Sequence, residues 1–129
     1  MRLFILCLMS LATLTACGVK PPIEGRADPF LPVQITLADP DLANKTAIGV
    51  PIMERRSGIL YVTVPIRSAS GYDLRIDQRW SFLNAQGRPI YQGSWEGGKK
   101  LVSNVQDSIG ANSLSGDAAD FRLELRYSE

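Results

Sequence analysis

The side chains able to do covalent chemistry in this chain are few. It has no histidine, which removes Ser-His-Asp and Cys-His catalysis and the usual zinc sites. A Ser–Lys dyad could be assembled from Ser103 with Lys99 or Lys100. Those lysines follow Gly97-Gly98, which reads as a turn, and they fit solvated charges guarding a strand edge. Asp39 and Asp41 lack the string of oxygen ligands of a calcium loop, and Asp39 ahead of Pro40 fits a cap. The stretch "GSWEGGKK" (93–100) lacks the spacing of a phosphate-binding loop and opens no helix. What remains is a thiol: Cys17, at the end of Leu14-Thr15-Ala16-Cys17.

The context of that thiol is specific. Arg2 supplies a positive start, and Leu3 to Ala16 is apolar apart from Ser and Thr. The run falls short of the roughly 20 residues that span a bilayer and fits the apolar region of a secretory signal peptide. Its end resembles the lipobox of bacterial lipoproteins. Leu14 fills an apolar subsite, Ala16 is small enough for the peptidase, and the Cys17 thiol forms a thioether to diacylglycerol. The alternative is an ordinary signal peptide with a chance cysteine. Each acyl CH₂ buried contributes about 0.8 kcal/mol, and two or more chains make anchoring stable. Gly18, rather than Asp, follows the cysteine. Under the enterobacterial sorting rule this favours the outer membrane, with its periplasmic face as the default.

Composition narrows the partners. Lys and Arg number 14 and Asp and Glu 13; loss of Arg2 with the leader makes them equal. A neutral chain offers no electrostatic reason to bind nucleic acid. Of the two cysteines, Cys7 leaves with the leader and Cys17 takes lipid, so no disulfide staples the mature chain. No cofactor is implied. Residues 1–16 read as signal peptide, 17–32 as lipidated N-terminus and Pro-rich tether, and 33–129 as one domain resting on its apolar core. The tether holds Pro21, Pro22, Pro29 and Pro32. At about 3.1 Å per residue it could reach on the order of 40 Å from the bilayer.

The elements that must position any site are strands. "VQITLA" (33–38) alternates, and "DPDLANKT" makes a short turn carrying Leu42 inward. "AIGVPIMER" (47–55) reads as a short strand confined by Pro51, and Ser57-Gly58 as a turn into "ILYVTVPIRS", where Pro65 suggests an edge or a bulge. Leu60, Val62, Val64 and Ile66 share one face. Ala69 to Tyr72 turns into a strand with Leu74, Ile76, Trp80 and Phe82 inward. "AQGRP" turns into "IYQGSW", and "KKLVSNV" follows. "SIGANSLSGDAAD" (108–120) reads as a loop of small polar residues, and "DFRLELRY" (120–127) is the last strand. Regular short strands with little helix predict an all-β, antiparallel β-sandwich of about seven strands. A small barrel is the other possibility.

Two charged rows should then face outward, Arg75, Asp77 and Arg79 on one strand and Arg122, Glu124 and Arg126 on another. If those strands pair, opposite charges can meet at about 0.2–1 kcal/mol per pair. Such a face is either merely solvated or a protein docking surface. Trp80 belongs to the core by alternation. Trp95, among Gly93, Gly97 and Gly98, is the tryptophan that could be exposed and serve as an anchor. Trp95, Arg75 and Arg79 are therefore the candidate partner surface.

Three stretches together resemble the YcfL-like family of small periplasmic lipoproteins: Ile35 to Ser70, Leu74 to Ile90, and Asp117 to Arg126. The most specific features are the aromatic strand running from Trp80 to Gly87-Arg88 and the closing "AADFRLELR". Gln78-Arg79 stands where the family has Tyr-Arg, and "GANSLSGDAAD" lacks an expected proline. The resemblance implies a sandwich of immunoglobulin-like look and no catalytic residues. The expected role is non-enzymatic: a lipid-anchored module binding another envelope protein by a sheet face or an edge. The alternative is a carrier of a small ligand or of cell-wall glycan.

Overall fold

The structure, a computed structural model, describes residues 34–129. Leu14, Thr15, Ala16, Cys17 and the tether through Pro32 lie outside the described residues.

Three long alternating strands set the frame. β4 (Ile59–Ser68) turns Leu60, Val62, Val64 and Ile66 inward, and all four are buried. β5 (Leu74–Leu83) buries Leu74, Ile76, Trp80 and Phe82. β9 (Asp120–Tyr127) buries Phe121, Leu123 and Leu125. Period-two alternation of β-branched and aromatic residues has one stable outcome, a pleated sheet with one face dry. These residues form a single core between two sheets, where the Trp80 and Phe121 rings meet at 5.8 Å between centroids. Such an aromatic pair contributes about 0.5–1.5 kcal/mol beyond the area it buries.

The first sheet runs β1 (Ile35–Leu37), β9, β5, with β6 (Pro89–Gln92) and β7 (Glu96–Leu101) sharing the far edge of β5. The second has β4 at its centre, β8 (Asp107–Asn112) on one side, and β2 (Thr46–Ile48) with β3 (Ile52–Arg56) on the other. β2–β3 and β6–β7 are each one strand path interrupted midway. Counted as paths, the described residues make four strands packed on three, the expected sandwich. All pairings between these strands are antiparallel except β1 with β9, which is parallel, and an isolated parallel bridge joins Ser68 to Ser103.

The interruptions have local causes. Four steps from Ile48 to Ile52 on one path oppose three from Ile66 to Thr63 on β4, so one extra residue bulges out at Gly49–Pro51. The Gly49 N–H bonds the Pro65 carbonyl at 2.9 Å, so the Pro65 nitrogen, which has no N–H, faces this same break. Pro65 thus sits in a central strand, with a bulge absorbing its missing donor. Ser57 (φ 49°) and Gly58 (φ 79°) both take positive φ, the geometry of a two-residue hairpin turn of the kind that matches strand twist.

Several local expectations are corrected. Gly97-Gly98 is not a turn but lies within β7, and "IYQGSW" stops being strand at Gln92. "SIGANSLSGDAAD" is not all loop, since its first five residues belong to β8. Asp39 stands at the N-cap of helix α1 (Pro40–Lys45), but its side chain makes no capping bond. Its carboxylate instead accepts the Tyr127 N–H at 3.0 Å, which fastens the helix to the end of β9. Leu42 is fully buried, as its position in the turn requires.

Candidate functional site

The outward face of the first sheet gathers the two charged rows. Register places Asp77 opposite Arg126 and Arg79 opposite Glu124. Arg79 grips Glu124 with two bonds, Nε to Oε2 at 2.6 Å and Nη2 to Oε1 at 3.0 Å. This bidentate geometry is the strong form of the pair. Its hydrogen bonds hold the Glu124 carboxyl below the usual range and push the Arg79 guanidinium up. Arg126 Nε donates to Asp77 Oδ2 at 3.2 Å.

Asp77 is nearly buried although it faces outward. Its Oδ1 accepts the Ser128 hydroxyl at 2.7 Å and the Gly98 N–H at 3.1 Å. The Ser128 bond above all, then the Gly98 and Arg126 bonds, keep this carboxyl ionised below the ordinary aspartate range against the opposing effect of burial. The bulge in β7 makes this possible. Between Ile76↔Lys99 and Gln78↔Glu96 the β7 side holds one extra residue, and Gly98 takes φ +80° there. A side chain at Gly97 would meet Asp77 Oδ1 at 3.1 Å. The glycine pair that resembles a turn in sequence is the cradle of a carboxylate.

Trp95 closes this cluster. It is half-buried, and its ring lies over two guanidinium carbons, 4.8 Å from Arg79 and 4.3 Å from Arg126. Both cations keep their carboxylates while stacking. Cation–π contact contributes about 0.5–1 kcal/mol at an exposed site and more where water is excluded. Of the three residues singled out in the sequence, Trp95 and Arg79 come together. Arg75 stands apart, across from Lys100 on β7. Arg126 completes the group. The sequence places it in an outward row, but its contact with Trp95 depends on cross-strand register.

The remaining chemistry-bearing residues go to separate partners. Ser103 Oγ donates to the Ser70 carbonyl at 2.7 Å, Lys99 pairs with Asp107 at 3.0 Å, and Lys100 pairs with Asp73 at 3.1 Å. Asp41 holds Lys45 at 2.8 Å and accepts the Tyr127 hydroxyl at 2.9 Å. Among the described residues no cluster of Cys, Asp or Glu could hold a metal ion.

Concavities on the described surface include three of note. One of about 370 Å³ is open and lies along Gly49, Pro65 and Arg67. A second of about 150 Å³ lies beside the charged face, between Ser81, Gln92 and Arg122. A third of about 250 Å³ opens between the β6–β7 edge and β8, floored by Trp80 and Phe82, with Tyr91 and Leu114 exposed beside it.

With this geometry described, comparison with known proteins adds the following. No protein-family model matches the chain, and no curated protein matches it. Among solved structures it is similar to Campylobacter jejuni cj0090, with a TM-score of 0.64 and 16% identity over 74% of this chain and 98% of that one. It is also similar to a DUF1425 family member from Shewanella sp. pv-4, with a TM-score of 0.58 and 21% identity over 65% and 79%. The likeness is one of fold. It shows that the two-sheet arrangement is an architecture already seen in bacterial proteins.

Proposed function

We propose that this chain is a membrane-anchored lipoprotein whose sandwich domain is a protein-binding or structural accessory module of the cell envelope. In this reading Cys17 carries the acyl chains, the anchor is in the outer membrane at its periplasmic face, and the partner is another envelope protein. The Leu14–Cys17 pattern, the YcfL-like stretches and the fold likeness to the DUF1425 member all agree with it.

The observation that carries the binding role is Trp95 stacked on Arg79 and Arg126. Trp and Arg are the residue types that dominate binding hot spots. Here they are fixed in place before any partner arrives, so little side-chain entropy is lost on docking. The test is crosslinking of the full-length protein in cells, comparing wild type, Trp95→Ala and Cys17→Ser. One dominant envelope protein captured by wild type and lost with Trp95→Ala is the expected result. Undiminished capture by Trp95→Ala overturns the role of this face.

A second reading, binding of a small ligand or of cell-wall glycan, has one observation in its favour, the aromatic floor of the 250 Å³ cleft. Quenching of tryptophan emission by soluble peptidoglycan fragments would favour it. Unchanged emission would leave the protein-binding reading alone.

A further inference from the structure

Two sheets have four edges, and three of them here are defended. β1 is three residues long and is soon followed by Pro40. The β2–β3 path carries Pro51, a bulge and the charged run Glu54-Arg55-Arg56. The β6–β7 path carries Pro89, the Gly98 bulge, Lys99 and Lys100. Short length, proline, bulges and charge are the devices by which native sheets prevent edge pairing. β8 carries one of these, the charge of Asp107 at its first residue, already paired with Lys99, and has none beyond it from Ser108 to Asn112. Its six residues pair with β4 in unbroken register and include no proline, lysine or arginine.

Its exposed polar groups can be assigned. Because Pro65 directs its carbonyl to Gly49, alternation turns Tyr61, Thr63 and Pro65 toward β2–β3. Their partners Asn112, Gly110 and Ser108 therefore direct N–H and C=O away from β4. The Ser108 N–H is taken by the Asp107 carboxylate at 2.7 Å. Gly110 and Asn112 each present a donor and an acceptor to a newcomer.

The space beside β8 has a defined chemistry. The second sheet has three strand paths against four in the first, and a fourth strand beside β8 would lie over the cleft floored by Trp80 and Phe82. Glu96 also lines this cleft and has no ion-pair partner among the described residues. We propose that β8 accepts, by strand addition, an extended segment of a partner protein. Alternate apolar side chains of that segment fill the cleft, and a Lys or Arg meets Glu96. Main-chain bonds then give affinity and the cleft gives specificity. A second copy is the weaker match, because a second β8 brings no cation to Glu96. The inference rests on the protein-binding reading and supplies it with a second surface.

The probe is acetyl-Val-Thr-Val-Thr-Lys-Thr-amide, added to the full-length protein in detergent micelles and followed by amide hydrogen exchange. Exchange at Gly110 and Asn112 should slow by about tenfold or more at saturation, since a bonded edge amide must open before it exchanges. The same peptide N-methylated on its bonding amides should give no slowing, and Glu96→Gln should weaken binding several-fold. No slowing, or equal slowing by the N-methylated peptide, overturns the proposal. So does protection that grows with protein concentration alone, because a second copy then occupies the edge. If Trp95→Ala abolishes partner capture while β8 stays unprotected, the edge proposal fails and the protein-binding reading stands.

Discussion

Trp95 covers Arg126 at 4.3 Å from ring centroid to guanidinium carbon, while that same guanidinium bonds Asp77. One cation thus serves an aromatic face and a carboxylate together. A double-mutant cycle of Trp95→Ala with Arg126→Ala, read by urea unfolding, should give a coupling of about 0.5–1 kcal/mol. A coupling indistinguishable from zero would mean the ring rests on the arginine without holding it.

Acid should unfold the protein through its carboxylates. Asp77 and Glu124 titrate below their usual range, as do Asp41, Asp73 and Asp107. A carboxyl depressed in the folded state contributes stability that is complete above its unfolded pKa, about 3.9 for Asp and 4.3 for Glu. That contribution is lost as pH falls through the lower folded value. Melting temperature should therefore hold from neutrality to about pH 5 and drop below it. Asp77→Asn should flatten that acid limb. An identical limb in wild type and variant would show that Asp77 contributes nothing to it.

Gly98→Ala should destabilise by about 1–2 kcal/mol, the cost of placing an L side chain at positive φ. Nothing lies within 4 Å of the added methyl, so the cost is backbone strain alone. Gly71→Ala, also in open space and without positive φ, is the control and should be neutral or slightly stabilising. Equal unfolding midpoints for the two variants would contradict this account of the bulge.

Cys17→Ser should leave the protein without lipid and shift it from membrane to soluble envelope fractions, since a hydroxyl does not replace the thiol in the thioether. Mass spectrometry of the wild-type N-terminal peptide should show diacylglycerol on Cys17. An unmodified Cys17 in a membrane-free fraction would remove the lipoprotein reading.

The strands that build the core were legible because alternation is a direct imprint of a one-sided sheet. Leu60 through Ile66 and Phe121 through Leu125 show it without ambiguity. β8 was not legible. "DSIGAN" has one large apolar residue, Ile109, and its strand conformation comes from pairing with β4 rather than from its own preferences. Gly97-Gly98 misled for a related reason, since the signal of a turn is also the signal of a bulge and only the partner strand decides. The charged rows were visible as rows. That Arg126 and not Arg75 meets Trp95 follows from a register set between residues some fifty positions apart, which no local pattern encodes.

The parallel pairing of the first and last strands has a mechanical consequence. Gln34 and Ala38 bracket β1 with bonds to Leu123 and Leu125, 2.7 and 2.8 Å long, and the Gln34 side chain adds one to Asp120. A pull applied to the chain ahead of Gln34, along the strand axis, loads these bonds together in shear rather than peeling them one at a time. Load entering from that end is thereby shared with β9, which lies between β1 and β5 in the first sheet. A force entering at Gln34 would thus meet the main-chain bonds of β1 and the Gln34–Asp120 bond at once.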